Sequence, residues 1–537
     1  MALTKVAHIT LITFLIFAAP SVVHSRRIVI FVPGFTDGQI KLFVRFGDLL
    51  TNAGHNVTLF RPQYNPDVRQ HDPKSTGVKE IRYKVVDNAD SYRQWLLETS
   101  DSVYRDSTAN LWTIMSYALD GSQKFGLSGC EKQLADTNLL NQLRSEQFEL
   151  AVVDSEDLCA YGLVRVLAIP AYVSLTSGVL SDYVAWASHI PSPVSYVPNP
   201  LSQFNDRMSL GQRVQNLVTH AMTPVVYRAT TVESTNALFR KYFGKEFPNL
   251  ETLIAETPII FVNDEELVEF PRPILHKVVY IGGFNSGEGR PLSGTWKKLM
   301  DDSKDGVVLI SFGNVLKGAA MPLKWKAAIM NACVKYPTYT FIFKYDEKLE
   351  AGGRNLTNLK LAPWVPQERL LAHPKMKAFV TEGGLNSILE ATKHGVPMVI
   401  VPLFGDQMGN RFRAQRHGVA IGIDKKKFKT RRLVEALENL FHNETYKQNA
   451  ERLSRMIETK PVKPEELALG WIEFVAEYKT IPSLQPTSLQ LSFFQYFLID
   501  ALLITLVIAI MIFYILCRIF YCYYWRCFET SFHEKPE

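Results

Sequence analysis

At 537 residues the chain exceeds the length over which one hydrophobic core keeps growing, so two domains are expected, and its 47% apolar share is ample to fill both. A net charge of +6 is mild for this length and argues against a nucleic-acid partner. The longest basic block, "KKKFK" at Lys425 to Lys429, reads as a solvated loop rather than a binding patch.

The chain opens with Lys5, the apolar run "ITLITFLIFAA" and a short polar exit, "VHS". That is the build of a secretory signal peptide over residues 1–25, with cleavage after Ser25. "RRIVIFVP" then reads as a near-continuous apolar strand, followed by a glycine-bearing turn, an amphipathic stretch from Gln39 to Ala53 and a second strand, "NVTLF". "FELAVVD" (148–154) and "LAIPAYVSL" (167–175) extend the rhythm, which predicts a parallel sheet with helices on its faces. From about Thr176 to Leu250 the pattern gives way to Pro-rich loops and longer helical segments. "HKVVYIGGFNSGEGRPLSG" marks a boundary, because an apolar strand runs into Gly, Ser and Pro. Beyond it the alternation restarts with "GVVLISFGN" (306–314), "TFIFKY" (340–345), "LKLAPW" (359–364), "KAFVT" (377–381) and "PMVIVPLF" (397–404).

The expected organisation is therefore α/β, with two doubly wound Rossmann-like domains facing across a cleft, over residues 26–280 and 281–465. A return helix and linker follow at 466–492, then a transmembrane helix at 493–517 and a tail at 518–537. "ALLITLVIAIMIFYILC" carries no charge, and extending it back to Phe493 adds only Gln495 and Asp500 as strongly polar residues. About 20 apolar residues are needed to cross a bilayer. Arg518, Arg526 and Lys535 follow the span whereas only Lys479 precedes it closely, which predicts a single-pass type I protein with a lumenal body and a cytosolic tail. Asp500 then falls near the lumenal interface. Sequons at Asn56, Asn355 and Asn443 agree with that orientation, Asn56 least well because it opens a strand. Of six cysteines, Cys517, Cys522 and Cys527 belong to the membrane edge and tail. Cys130, Cys159 and Cys333 remain, allowing one bridge at most, and isolated buried thiols are the expectation.

The chemistry-bearing residues cluster in the second half. Trp364, Gln367, the turn Gly383-Gly384, Asn386, Ser387, Glu390, Asp406 and Gln407 all fall at predicted strand ends or in first helical turns, which line the cleft of an open α/β sheet. Asn386 and Glu390 are four apart and share a helix face. Each alone reads as packing. Together they carry a resemblance: the segment from Trp364 to Gly418, "WVPQ…LLAHP…FVTEGGLNS…EA…GVP…P.FGDQ..N", is similar to the donor-binding signature of UDP-glycosyltransferases, and specifically of the UDP-glucuronosyltransferase family. The likeness spans nearly the whole chain, including the signal peptide, "SFGN", "SYVPN", "FPRP" and the membrane anchor.

That resemblance implies the GT-B type of fold and an inverting transfer of glucuronic acid or glucose from a UDP-sugar to small lipophilic acceptors read by the N-terminal domain. Trp364 is expected to stack on uracil, Gln367 to sit beside the nucleoside, and Glu390 to accept from the ribose hydroxyls. Asn386, Ser387 and the turn amides would hold the diphosphate, with Ser311, Phe312 and Gly313 on its other side, and Asp406 and Gln407 would grip the sugar. The UDP-sugar is a co-substrate, and neither a cofactor nor a metal is expected, since no Asp-X-Asp site or His/Cys cluster points to one. The expected location is the endoplasmic reticulum membrane.

Two positions depart from the family. Glu382 stands where a histidine usually donates to phosphate, so it must point away, be protonated, or pair with a cation. Gln39 stands at the position of the catalytic histidine, and a neutral amide accepts no proton at ordinary pH. Asp154, the matching partner aspartate, is retained and becomes the candidate base, with Asp37 as a weaker one. His55, at the far end of the same helix, is about 24 Å away at 1.5 Å per residue and is excluded. The alternative is a weakened or inactive member that binds nucleotide sugar or lipophile, or modulates active relatives by homo- or hetero-oligomerisation.

Overall fold

The computed structural model describes residues 25–68, 77–105, 121–284, 291–345 and 356–533. The expected signal peptide lies almost wholly outside the described residues, as does Asn355. Thirteen strands form two sheets. The first contains β1 (Arg27–Phe31), β2 (Asn56–Gln63), β3 (Lys79–Lys84), β4 (Leu150–Asp154), β5 (Tyr172–Thr176), β6 (Ile260–Val262) and β7 (Val278–Tyr280), in the order β3-β2-β1-β4-β5-β6-β7. The second contains β8 (Val307–Ser311), β9 (Thr340–Lys344), β10 (Leu359–Ala362), β11 (Met376–Thr381), β12 (Met398–Ile400) and β13 (Ala420–Gly422), in the order β10-β9-β8-β11-β12-β13. Every recorded pairing is parallel, with β1 registered to β2 by Ile30 on Leu59 and to β4 by Ile30 on Val152.

The strand residues explain this choice. "VVLIS" in β8 and "LAVVD" in β4 are buried throughout, as central strands covered by helices on both faces require. The helix Asp37–Asn52 buries Ile40, Leu42, Phe43, Val44, Phe46 and Leu50 against β1, β2 and β4. The helix Pro464–Tyr478 returns from the end of the second sheet's segment and places Ala468, Ile472 and Val475 in that same core, tying the C-terminal part of the body to the first sheet.

Both sheets reverse direction of growth at a central strand, β1 beside β4 and β8 beside β11. Ligands of open α/β sheets bind outside the carboxyl ends at such points. Asp154 and Ser311 are the last residues of β4 and β8, Glu382 follows β11 directly, and Gln39 lies in the first turn of the helix after β1.

Several expectations need correction. Cys130 and Cys159 form a disulfide, with Cα atoms 5.7 Å apart, where isolated thiols were expected. The helices Ser128–Ala135 and Leu158–Val166 pack in one core and bring the pair together, a proximity that sequence spacing does not reveal. Cys333 is the buried free thiol, pushed up to about 12 by burial. The strand expected over 167–175 begins only at Tyr172, because Leu167 caps the preceding helix and Ala168 takes a left-handed φ of 54°. The run 397–404 yields only the three residues of β12 before Pro402 leads into a loop.

A separate compact unit spans Gln485–Glu537. Its main helix is Ile499–His533, preceded by the short helix Phe493–Tyr496 and by Leu498 at φ 53°. Within Ile499–Arg526 an 18-residue stretch reaches a mean hydropathy of 2.7, and the helix is long and apolar enough to cross a membrane.

Candidate active site

A cavity of about 540 Å³ lies between the two sheets' carboxyl ends and gathers most of the expected donor residues. Trp364, Gln367, Ser311, Gly313, Glu382, Gly384, Asn386, Ser387, Glu390, Asp406 and Gln407 all line it, and Asp37 lines it from the first domain. Trp364 is 44% exposed and presents its ring to this space, as a stacking platform needs. Two expected residues do not line it. Phe312 turns into the core, with its ring 5.7 Å from Trp325 and 6.2 Å from Phe428, leaving only its backbone for a ligand. Gly383 has a φ of 86°, and a Cβ there would lie 2.6 Å from Ile400 Cγ2, so this glycine serves the turn.

The helix Leu385–Lys393 starts directly from that turn, with Gly384 as its N-cap. Its dipole and free amides favour an anion at this end. Glu382 nevertheless does not point away. Its carboxyl is 6% exposed, accepts from Thr381 Oγ1 at 3.0 Å, and lies so close that a Cβ on either Gly313 or Gly384 would meet its Oε1 at 2.8 Å. Burial raises its pKa, opposed by Thr381 and by the Lys344 charge. Lys344 itself donates to the Gly313 carbonyl at 2.6 Å and to Asn314 Oδ1. The carboxyl thus occupies the wall of the phosphate cradle.

At the nucleoside end Glu390 is already engaged on both oxygens. Gln367 Nε2 donates to Oε2 at 2.8 Å, and Lys41 Nζ, reaching across from the helix Asp37–Asn52, donates to Oε1 at 3.0 Å. Arg45, one turn along that helix, approaches Glu368 at 3.6 Å. This clasp between the domains was not anticipated, although Lys41 and Arg45 are four apart and form a basic stripe on a helix whose other face is apolar. A polar contact, Asn263 Nδ2 to Asn386 Oδ1 at 3.3 Å, joins the domains nearby.

Asp406 Oδ2 accepts from Asn410 Nδ2 at 3.0 Å. Gln407 Oε1 accepts from the amides of Leu403 and Phe404 at 2.9 and 3.0 Å, so it shapes the loop as well as facing the cleft.

A second cavity of about 590 Å³ opens beside the first and reaches into the N-terminal domain. Gln39 and Asp154 both line this second cavity, and Thr36, Ser177 and Asp406 are shared with the first. Thr36 caps the helix with Gln39 at its third position, and Gln39 Nε2 donates to Ser177 Oγ at 3.3 Å rather than to Asp154. Asp154 ends β4 with only 3% exposure, accepts from the Glu156 amide at 3.0 Å through Oδ1, and leaves Oδ2 buried without a partner. Burial, and secondarily the Glu156 charge, pushes its carboxyl up to about 7. His55 lies at the other end of the helix, buried and 3.9 Å from Glu473. Among the described residues no group of three or more His, Cys, Asp or Glu is arranged to hold a metal ion.

A family model described as "UDP-glucoronosyl and UDP-glucosyl transferase" matches residues 44–534. The chain belongs to the UDP-glucuronosyltransferase family. It is 29% identical to the Caenorhabditis elegans "Putative UDP-glucuronosyltransferase ugt-50" over 93% of this chain and 95% of that one. It is 30% identical to the human "UDP-glucuronosyltransferase 2A2" over 91% of each. Among solved structures, the "Glycotransferase of kitacinnamycin" superposes with a TM-score of 0.55 at 17% identity, covering 86% of this chain and all of that one. The "glycosyltransferase VinC in complex with DTDP" superposes at 0.53 and 16%, over 84% of this chain and all of that one. These likenesses establish the GT-B fold, with one C-terminal helix as a candidate membrane span. As a UDP-glucuronosyltransferase family member the chain is of the class that transfers sugar from a UDP-sugar, and position 39 precedes the matched span.

Proposed function

We propose that this chain is an inverting transferase that moves glucuronic acid or glucose from its UDP-sugar to small lipophilic acceptors, with Asp154 taking the proton that the family's histidine would take. The observation that carries this reading is the Asp154 carboxyl: buried in the wall of the 590 Å³ cavity beside Gln39, one oxygen without a partner, and pushed up to about 7. Such a group is half ionised near neutrality, which suits a general base. The acceptor oxygen attacks the anomeric carbon, its proton passes to Asp154, and the bond to UDP breaks on the opposite face, so that UDP leaves with the bonding pair. Trp364 holds the uracil, Gln367 and Glu390 the ribose, Asn386, Ser387 and the Gly313 and Gly384 amides the diphosphate, and Asp406 and Gln407 the sugar. Asp37, half-buried in the first helical turn, is the weaker base candidate. No metal or further cofactor enters the scheme.

The experiment is Asp154→Asn. Transfer to a panel of phenols should fall about 10² to 10⁴-fold while UDP still binds, and unaltered turnover would refute the role. Gln39→His should raise turnover, since it restores the missing imidazole in an otherwise complete site.

A second reading is a member that binds nucleotide sugar without transferring it. It is favoured by the Glu382 carboxyl in the phosphate cradle and by Gln39, which turns its amide to Ser177. UDP binding with no transfer from labelled UDP-sugar would select it. For location, we propose the endoplasmic reticulum membrane with a lumenal body. The Cys130–Cys159 bridge supports an oxidising compartment. Asn56 and Asn443 are both exposed, as acceptors of glycan must be.

A further inference from the structure

Four acids, Asp154, Glu156, Asp182 and Asp406, line the 590 Å³ cavity, against one base among the described lining residues, Lys425. Lys425 turns its ammonium to the carbonyls of Val103 at 2.8 Å and Leu403 at 3.5 Å and presents its charge to backbone. Neutral polar residues such as Thr99, Ser177, Ser181 and Asn199 also line it, but most of the wall's surface is apolar, including Trp95, Val179, Leu201 and the paired rings of Tyr183 and Tyr227, whose centroids are 4.3 Å apart.

Two of the acids form a pole on the loops after β4 and β5. Asp182 is 7% exposed; its Oδ2 takes His220 Nδ1 at 2.9 Å and the Asn199 amide, whereas its Oδ1 is buried with no partner. His220 is held from behind by the Val197 carbonyl at 3.1 Å, so it braces the carboxylate and does not enter the cavity. Glu156 is exposed to the cavity and is bonded by the Ser181 hydroxyl, one residue from Asp182. A buried acceptor oxygen without a donor is costly, and a carboxylate facing an apolar space calls for a cation or a donor from the ligand.

We infer that the acceptor cavity takes lipophilic molecules carrying a protonated amine, with the ammonium seated between Glu156 and Asp182 over the tyrosine rings and the group to be glycosylated directed at Asp154. This rests on reading the cavity as the acceptor site. An ammonium brings three donors and a charge, enough to satisfy Asp182 Oδ1 and Glu156 together, and aromatic faces add cation–π attraction. A neutral acceptor can donate a hydrogen bond but brings no charge to the two carboxylates, and an acidic one meets like charge. Asp182 already has the His220 contact, whereas Glu156 is bonded by a neutral hydroxyl, so Glu156 is the residue whose neutralisation matters most.

The test is calorimetric titration of the detergent-solubilised full chain, near neutral pH and without donor, with three matched probes: 3-phenylpropylamine, 3-phenylpropanol and 3-phenylpropanoate. The amine should bind about tenfold or more tighter than the alcohol, and the carboxylate weakest. Glu156→Gln and Asp182→Asn should each bring the amine down towards the alcohol, with alcohol affinity and UDP affinity kept. Equal binding of amine and alcohol, or an amine preference that survives both substitutions, overturns the inference. Should Asp182→Asn fail to fold, Glu156→Gln, at an open position, decides alone. Failure of the donor reading shows separately, as failure of the unsubstituted chain to bind UDP.

Discussion

Replacing Glu382 with glutamine isolates the effect of one charge on donor binding, because the amide keeps the shape of the side chain. The carboxyl lies against Gly313 and Gly384, where the diphosphate is proposed to sit. One ionised carboxylate at 4 Å from one phosphate charge is opposed by about 332/(20 × 4), or ~4 kcal/mol, at an effective dielectric of 20. That ceiling corresponds to roughly a thousandfold in affinity. Burial raises the Glu382 pKa, and any protonated fraction makes the observed effect smaller than the ceiling. The sign with pH follows: protonated at low pH, the group permits the diphosphate; as pH rises through its elevated pKa, the donor is increasingly repelled. The assay is calorimetry with a UDP-hexose, whose diphosphate charge is constant over this range, at several pH values from about 5.5 to 8. Glu382→Gln should bind tenfold or more tighter at the upper end and approach the unsubstituted protein at the lower. Asp406, also buried in this cleft with a raised pKa, titrates in both proteins, so the difference between the two profiles is the readout. A Gln variant that binds no better at any pH would show that the carboxyl does not face the diphosphate.

Three further outcomes are expected. With Asp154 as base, the transfer rate should rise with pH through about 7, since the deprotonated form is the active one, and this limb should vanish in Asp154→Asn; a flat profile would point to another base. Lys41→Met should raise KM for the UDP-sugar about tenfold with little change in kcat, and Lys41→Arg should restore it, because Lys41 orients the Glu390 carboxylate; tighter donor binding would show instead that Lys41 competes with the ribose. Cys130→Ser should lower unfolding free energy by about 3.5 kcal/mol, the loop-closure value for a separation of 29 residues, read from denaturant unfolding of the lumenal body.

The parallel sheets were legible because their central strands are continuous apolar runs with helices between them, a signal that local sequence carries by itself. The edges were not. β3 is "KEIRYK", alternating and half-exposed, and β6 and β13 have three residues each, too short to show any period. The cavity wall was legible for a related reason: strand ends and first helical turns are fixed points of an α/β sheet, so Trp364, Gln367 and Glu390 could be placed at the cleft from pattern, and their expected donor roles only from the family resemblance. Phe312 misled because its neighbours Ser311 and Gly313 do face the cleft while its own side chain alternates inward to Trp325.

What pattern does not carry is the pairing of residues far apart in the chain. The Lys41–Glu390 contact spans 349 positions and Arg413–Asp264 spans 149, and each depends on how one domain meets the other. The same reason accounts for Glu382. From sequence, an acid at a helix start had three ways to avoid a phosphate, and only the approach of the Gly313 turn from β8 decides among them, by closing over the carboxyl and denying it water. Desolvation then raises the Glu382 pKa, an effect that no neighbouring residue type could indicate and that makes pH the variable to test at this position.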